Sequence, residues 1–240
     1  MKLNILYEDN HVIVVEKKPG ILSQKDETND PDMITLIKEY LKEKYHKPGE
    51  VYLGMVHRLD RMVGGVMVFA KTSKAAKRLN QEMKKRTFIK KYCALVWGNP
   101  PKEGILIDYI YKNDEVPKAE IVDENHSNAK KAILSYKKVE TIKYLNKELS
   151  LVDITLETGR YHQIRCQFSS RGYPVYGDQK YGHKFNKKGI ILGLWSYSLS
   201  FIHPIKKELM TFTVCPKSQI WQKFNTNKLK EECWLKNKPF

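Results

Sequence analysis

A short polar run, His57-Arg58-Leu59-Asp60-Arg61, combines one acid with two arginines and a histidine, and Gly64-Gly65 follow it. Neighbouring cations stabilise the charged form of a carboxyl group, so Asp60 is predicted to be ionised at pH 7. A carboxylate held in a basic cleft can act as a nucleophile or as a general base. The same residues also fit a structural ion pair at a strand edge, and charge order alone favours that interpretation.

A second polar run, Thr158-Gly159-Arg160-Tyr161-His162-Gln163-Ile164-Arg165, lies about one hundred residues further along the chain. A helix that starts near Gly159 would place Tyr161 and Arg165 on one face, with His162 close to it. This face could bind a substrate, or it could belong to an ordinary solvated basic helix. The residues by themselves leave both interpretations open.

Motifs for nucleotide cofactors and metals are missing from the sequence. It contains neither a Walker A loop nor a dinucleotide-binding glycine motif, and His57-Arg58-Leu59-Asp60 has the wrong order for a kinase catalytic loop. The four cysteines are widely separated and form no Cys-x-x-Cys pair. We therefore expect no cofactor, no metal and no disulfide framework, and free thiols suit a reducing cytoplasm.

The charge balance predicts a polyanionic partner. The 240 residues include 43 Lys and Arg against 27 Asp and Glu, which gives a formal net charge of +16. Nucleic acid is the first candidate and an anionic membrane surface the second. The longest apolar stretches, near 64–70 and 189–195, are too short to cross a bilayer, and the N-terminus lacks the apolar core of a signal peptide.

Hydrophobic periodicity and turn residues predict an α+β fold with a mostly antiparallel sheet. Residues 112–130 are polar and are predicted to be a loop. The tail from Pro216 is basic and compatible with a helix, with Trp221 and Trp234 as anchors. Strands are predicted near 5–15, 66–70, 92–97, 133–139, 149–156 and 209–214, and helices near 31–45, near 73–86 and from Gly159 to Gly172.

Five ordered blocks of the sequence resemble the RluA-type pseudouridine synthases. The family's signature is matched by His57-Arg58-Leu59-Asp60 followed by Gly65, Ala70 and Lys71. Residues 91–98 are similar to a strand that has the pattern Lys-x-Tyr-x-Ala-x-Val-x-Gly in the family. The other blocks similar to the family are 158–165, 172–182 and 194–204. The family usually has Thr-Ser where this chain has Val63-Gly64, and it usually has proline at Lys18. Trp195-Ser196 likewise replace a His-Ala pair.

The resemblance implies a reaction and a role for individual residues. The family isomerises uridine in RNA to pseudouridine, and the resemblance assigns the essential acid to Asp60. Asp60 either attacks the sugar C1′ or removes the 2′ proton; the sequence leaves both open. The resemblance further implies that Arg165 is the partner of the Asp60 carboxylate and that Tyr92 stacks on the target base. Leu194 would form an apolar wall of the pocket, and Arg58 would fill the space of the flipped nucleotide. The remaining residues implied to contact RNA or to make contacts within the fold are His57, Arg160, His162 and Gln163.

The resemblance also implies the architecture and the partner. It predicts the pseudouridine-synthase fold, a mixed and mainly antiparallel sheet in two halves with helices outside and a central catalytic cleft. Residues 1–216 would form the catalytic domain and 217–240 a basic tail packed on it or extending from it, with no S4-type RNA-binding domain. We expect a monomer that acts on a ribosomal or transfer RNA stem-loop. The basic segment 73–86 and the Lys90-Lys91 pair could contact its phosphates.

Two other functions were compatible with parts of the sequence. An RNA-binding or RNA-folding factor that kept the fold and lost catalysis is the main alternative, and the Val63-Gly64 replacement is its only support. A nuclease would need a cluster of acids around metal ions, which the sequence does not offer.

Overall fold

The computed structural model describes residues 2–28, 30–113 and 115–229, which divide into two compact units. Unit 1 runs to Lys90 and adds Ser196–Val214, whereas unit 2 comprises Lys91–Trp195 and the described chain from Cys215 onward. The elements, in chain order, are β1 (Asn4–Glu8), β2 (Val12–Lys17), α1 (Met33–Lys44), β3 (Gly54–Met55), β4 (Gly64–Ala70), α2 (Ser73–Lys84), β5 (Ile89–Trp97), β6 (Glu103–Asn113), β7 (Lys118–Val122), β8 (Lys130–Tyr144), β9 (Lys147–Leu156), α3 (Gln163–Ser169), β10 (Leu194–Ile202), β11 (Leu209–Thr213) and a 3₁₀ turn, Trp221–Lys223.

Unit 1 is a sheet covered by two helices. Its strands lie in the order β1-β2-β4-β10, with β3 paired to β4 and β11 paired to β10. The run Val12–Val15 and all of β4 are buried, as their uninterrupted apolar sequences predict. Helix α1 begins after Asp32, whose carboxylate accepts the Thr35 N–H, so it starts two residues later than the predicted helix near 31–45.

Unit 2 is built on strands in the order β5-β9-β8-β6-β7. The predicted antiparallel pair 133–139 and 149–156 is confirmed as the hairpin β8–β9, and it extends to a turn at Leu145-Asn146. The expected loop over 112–130 is wrong, because β6 reaches Asn113 and Lys118–Val122 form β7. Strand β7 has one fully buried side chain, Ala119, so its backbone bonds to β6 define it more than its side chains do.

The described part of the tail packs into unit 2. Trp221, Phe224 and Leu229 are buried, and the Asn225 N–H donates to the Glu140 carboxylate at 3.0 Å. The predicted anchor Trp221 is therefore part of the unit, whereas Trp234 lies outside the described residues. Both the mixed sheet with few helices and the α+β class agree with the sequence prediction. No helix in the described ranges is long and apolar enough to cross a membrane.

One glycine lets two strands of unit 1 approach each other closely. Gly65 lies opposite Lys17 of β2 and has a φ of +135°. A Cβ atom at this position would lie 2.1 Å from the Ser196 carbonyl oxygen of β10. A methyl group cannot fit at that distance, so the glycine that follows the Asp60 run is required by packing as well as by its backbone conformation.

We predict that Gly65→Ala lowers the free energy of unfolding by about 2–5 kcal/mol, because it adds a backbone clash to backbone strain. Gly172→Ala is the matched control, since Gly172 has a φ of +80° but no atom within 4 Å of the added Cβ. It should cost only about 1–2 kcal/mol. Urea unfolding of both variants measures the difference, and equal losses would contradict the packing argument.

Candidate active site

The backbone around Asp60 is fixed by neighbours within unit 1. The Ser23 hydroxyl donates to the Leu59 carbonyl at 2.7 Å and accepts the Leu59 N–H at 3.0 Å. On the other side, the Val63 N–H donates to the Asp60 carbonyl at 3.0 Å and closes a turn. Asp60 itself is half-buried at the end of this segment. The segment can therefore present the carboxylate from a defined backbone position.

A buried lysine supports the same loop. The Lys17 side chain is 0% exposed, and its ammonium donates to the Ile21 carbonyl at 2.6 Å and to the Arg61 carbonyl at 3.0 Å. Burial lowers the pKa of Lys17 to about 7, although the negative charge of Asp60 acts in the opposite direction. The sequence analysis gave Lys17 no role. The feature that could have indicated this role is a charged residue just after the apolar run Val12–Val15.

The two arginines and the histidine near Asp60 have different surroundings. Arg61 pairs with Asp30 at 2.8 Å, whereas the Arg58 side chain is exposed. His57 accepts the Val68 N–H at its Nε2 atom, and burial lowers its pKa to about 3, so it is neutral at pH 7. Both arginines are exposed, but Arg61 is engaged by Asp30, so Arg58 is the one that suits a contact to RNA, while His57 makes a contact within the fold.

Helix α3 positions Arg165 in unit 2. The helix begins at Gln163, after His162 in the left-handed conformation at φ 50°. The expectation that Tyr161 and Arg165 share a helical face is therefore wrong, because Tyr161 precedes the helix. A left-handed residue interrupts the helical backbone at His162, so the helix is shorter than its sequence pattern predicts.

A buried carboxylate holds Arg165 in a fixed orientation. Arg165 Nε and Nη2 donate to the two oxygens of Asp178 at 2.7 Å and 2.9 Å. Asp178 also accepts the backbone N–H groups of Lys180 and Tyr181. Burial alone would raise the pKa of Asp178, but Arg165 and the two N–H donors lower it, so the carboxylate is ionised. Sequence reasoning quoted Asp178 within a family block but assigned it no role.

The other predicted residues around α3 make contacts within the fold. The Gln163 side chain accepts from the Thr158 hydroxyl at 2.8 Å and donates to the Ile133 carbonyl at 3.1 Å. Arg160 donates to the Lys131 carbonyl, and His162 Nδ1 lies 3.0 Å from the Tyr181 hydroxyl. Burial, with help from the charge of Arg165, lowers the pKa of His162 to about 3. These bonds favour the fold-contact interpretation of Arg160, His162 and Gln163.

Tyr92 and Leu194 lie on adjacent backbone segments of unit 2. Tyr92 is on β5 and Leu194 is the first residue of β10; both are buried. The Leu95 N–H donates to the Gly193 carbonyl at 2.8 Å, which fixes the approach of Leu194 to β5. Their predicted roles in stacking and in walling the uracil remain predictions.

The sequence-predicted site residues are divided between the units. Unit 1 holds His57, Arg58 and Asp60. Unit 2 holds the others, namely Tyr92, Arg160, His162, Gln163, Arg165 and Leu194. The pairing of Asp60 with Arg165 and the central cleft therefore stay predictions. Within the part of the chain that the structure describes, no group of three or more His, Cys, Asp or Glu side chains is placed to hold a metal ion.

Comparison with known protein families shows to which family the chain with this Asp60 segment belongs. The family model described as RNA pseudouridylate synthase matches residues 11–170, which include Asp60, Tyr92 and Arg165. The chain belongs to the RNA pseudouridylate synthase family. This confirms the resemblance that the five sequence blocks indicated.

Individual members of the RNA pseudouridylate synthase family match most of the chain. The chain is 31% identical over 223 residues to the dual-specificity RNA pseudouridine synthase RluA of Haemophilus ducreyi, covering 89% of this chain and 93% of the relative. It is 30% identical over 235 residues to tRNA pseudouridine synthase C of Haemophilus influenzae, covering 92% and 95%. An uncharacterized RNA pseudouridine synthase of Aquifex aeolicus is 32% identical over 221 residues, covering 88% and 69%.

Solved structures of family members share the fold. Human RNA pseudouridylate synthase domain containing 1 covers 100% of this chain and 97% of its own, with a TM-score of 0.75 and 22% identity. Human RNA pseudouridylate synthase domain containing 4 gives a TM-score of 0.72 at 23% identity, covering 95% and 93%. The predicted pseudouridine-synthase fold is thereby confirmed.

Lys17 should make stability depend on pH. A folded pKa of about 7 lies below the ordinary value of 10.5, so the unfolded state binds more protons between these values. Wild type should therefore gain up to about 1.4 kcal/mol per pH unit relative to Lys17→Met as the pH rises from 7 towards 10. Urea unfolding at several pH values tests this. Lys18→Met, at the exposed neighbouring lysine, should show no such trend, and a flat difference for Lys17→Met would contradict the prediction.

The buried pair Arg165–Asp178 should contribute strongly to stability. Asp178→Asn should lower the free energy of unfolding by about 3–5 kcal/mol, because it removes the buried negative charge that two donors of the Arg165 guanidinium bind. A double-mutant cycle with Arg165→Gln should give a coupling energy of about 1–3 kcal/mol. The control is Asp30→Asn at the exposed Arg61–Asp30 pair, where about 0–1 kcal/mol is expected. Similar losses at the two pairs would refute the assignment.

Proposed function

We propose that this protein isomerises specific uridines of ribosomal or transfer RNA to pseudouridine, with Asp60 as the essential carboxylate. The observation that carries this proposal is the family match over residues 11–170, which spans the Asp60 loop and Arg165. The geometry of each unit supports it. Asp60 stands on a backbone held by Ser23, Val63 and Lys17, and the Arg165 guanidinium is held by Asp178.

The reaction is an exchange of one glycosidic bond for another. The N1–C1′ bond of uridine breaks, the uracil turns, and a C5–C1′ bond forms. C5 loses its proton and N1 gains one, so the atoms balance without an oxidant, a metal or a nucleotide cofactor. Asp60 supplies its carboxylate either as the nucleophile at C1′ or as the base at the 2′ carbon.

Arg165 is proposed to orient and stabilise the Asp60 carboxylate. A guanidinium has five N–H donors, and Asp178 uses two of them, one on Nε and one on Nη2. Asp178 thereby sets the plane of the guanidinium, and we propose that Arg165 also binds the Asp60 carboxylate. Asp178 is fully buried, and Arg165 binds both of its oxygens. We therefore propose that Asp178 affects the reaction only by positioning Arg165.

The target uridine must leave its stack to reach the carboxylate. We propose that the ring of Tyr92 stacks on the uracil, that Leu194 forms the apolar wall, and that Arg58 occupies the vacated space. Stacking on an aromatic ring contributes about 1–3 kcal/mol per base, which helps to offset the cost of flipping. The exposed position of Arg58 supports its part in this step.

The alternative of an inactive RNA-binding protein depends on the Val63-Gly64 replacement. The turn after Asp60 does not need the hydroxyl groups that this replacement removes. The turn that follows Asp60 is closed by two backbone atoms, the Val63 N–H and the Asp60 carbonyl. The Val63 side chain is buried, so an apolar residue suits the position without a hydroxyl. The loop therefore keeps its turn in the absence of the usual Thr-Ser pair.

The names of the relatives support a substrate class for this protein. Those covered over more than 90% of their length are named as a dual-specificity RNA pseudouridine synthase and a tRNA pseudouridine synthase. We propose a stem-loop of transfer or ribosomal RNA, in which a loop uridine is easier to unstack. We further propose that the protein acts in the cytoplasm as a monomer, since one chain carries all the proposed residues; light scattering would test the monomer.

Asp60→Asn should abolish pseudouridine formation. The asparagine side chain can neither attack C1′ nor accept a proton, so we expect a loss of at least about 10³-fold in turnover. Pseudouridine mapping of RNA from cells lacking the gene, complemented with wild type or variant, measures the effect and identifies the uridine. Glu27→Gln, an exposed residue of the same unit, is the control with the same charge change. Full restoration by Asp60→Asn would refute the assignment of Asp60.

A further inference from the structure

Helix α2 carries a row of lysines along its solvent side. Lys74, Lys77 and Lys84 are exposed, and an advance of 100° per residue places all three within about a quarter of the helix circumference. They extend over about 15 Å along the axis, at a rise of 1.5 Å per residue. We call these three residues the α2 stripe.

The other side of α2 faces the core of unit 1. Ala75, Ala76 and Leu79 are buried there in one cluster with Val66 and Val68 of β4. The α2 stripe therefore stands on a helix whose orientation is fixed by packing.

The α2 stripe contains no carboxylate. The only acid of the helix, Glu82, accepts the Thr87 hydroxyl at 2.8 Å and lies 3.8 Å from Lys85. Among the residues that the structure describes, none forms an ion pair or a hydrogen bond with the ammonium groups of the stripe. These charges are therefore not used within the fold.

The charges in the first half of α2 do not stabilise the helix, whereas Lys84 lies in the last turn, where the helix dipole favours a cation. Lys74 lies in the first turn, where the helix dipole disfavours a cation, and that turn has no acidic residue. Lys74 is also three and four positions from Lys77 and Arg78, a spacing at which like charges repel. Helix α1 differs, because Glu39 and Glu43 alternate there with its lysines. Lys74 and Lys77 therefore oppose helix stability, and this indicates an external anionic partner.

Other cations near the α2 stripe that were predicted to contact RNA are bonded or partly buried within the fold. Arg78 donates to the Pro204 carbonyl at 2.8 Å. Lys90 is half-buried, and burial lowers its pKa. Lys91 is buried in an ion pair with Asp153 at 3.2 Å, so the expectation that Lys91 contacts phosphates is wrong. The surface suited to a polyanion in this region is thus narrower than the basic segment 73–86 and the Lys90-Lys91 pair.

We propose that the α2 stripe binds backbone phosphates of the RNA substrate at nucleotides beyond the reacting uridine. The inference rests on the proposed function for the identity of the polyanion. Lysine contacts phosphate as a point charge without reading sequence, so the stripe would set affinity and register and leave the chemical step unchanged.

The test compares two triple variants of unit 1. K74Q/K77Q/K84Q removes the α2 stripe, and K38Q/K42Q/K47Q removes the same charge on and just after α1. The probe is total RNA from cells lacking the gene, labelled with [5-³H]uridine, which releases tritium when C5 bonds to C1′. Filter binding over a salt series gives the affinity, and tritium release gives kcat and KM.

We expect the α2 variant to reduce the slope of log affinity against log salt by about 2–3, as three lost phosphate contacts on a loop or a stem predict. KM should rise at least about 10-fold at 0.15 M salt with kcat unchanged. The α1 variant should retain the wild-type slope and KM. The midpoint of thermal unfolding of the α2 variant should stay close to that of wild type, because removing the unfavourable charge of Lys74 offsets the loss of the favourable charge of Lys84. This separates the effect on binding from loss of folding.

Equal changes in the two triple variants, or no change in either, would overturn the inference. A fall in kcat without a change in affinity would overturn it as well. Failure of the proposed function is distinguishable, because wild type would then release no tritium, whereas binding and its salt slope would still test the α2 stripe.

Discussion

The buried ion pair between Arg165 and Asp178 is the constraint on which unit 2 depends. Removing two charges from water is costly, and close geometry with further hydrogen bonds has to offset that cost. Here the guanidinium meets both carboxylate oxygens, and two backbone N–H groups complete the carboxylate. The pair therefore ties helix α3 to the Lys180-Tyr181 turn. It also explains why a family block with no evident chemistry, residues 172–182, accompanies the arginine in the sequence.

Unit 1 also contains a buried cationic side chain, Lys17, which is bound by backbone carbonyl oxygens instead of a carboxylate. Lys17 is enclosed, and its ammonium donates to carbonyls from the segment just after β2 and from Arg61, beside Asp60. Gly65, paired with Lys17 across β2 and β4, lets β10 approach from the other side. A buried amine fixes the loops that surround it, because any movement leaves its N–H donors without acceptors. The position of Asp60 is thereby set by groups that do no chemistry.

The proposed chemistry needs few groups because an isomerisation requires no exchange of electrons or atoms with a cofactor. What it requires is a carboxylate held in place and a base held outside its stack. Within unit 1, Lys17 and Ser23 contribute to the first requirement, because they hold the backbone on either side of Asp60. For the second, we propose that Tyr92, Leu194 and Arg58 hold the flipped base, while the α2 stripe binds more distant phosphates without selecting sequence.

The sequence by itself determined the family, the α+β class and the residues that define the proposed chemistry, because those residues lie in ordered local blocks such as His57–Asp60 and Thr158–Arg165. Strong apolar runs, as in β4, also predicted their strands, since burial on both faces leaves a continuous hydrophobic signal. β7 and the start of α3 were missed, because backbone bonding to β6 and a left-handed residue leave little mark on composition. Only the tertiary structure decided which charges are structural. Whether Lys17, Lys91, Arg165 and Asp178 are buried and paired depends on partners distant in sequence, and desolvation acts only once those partners meet.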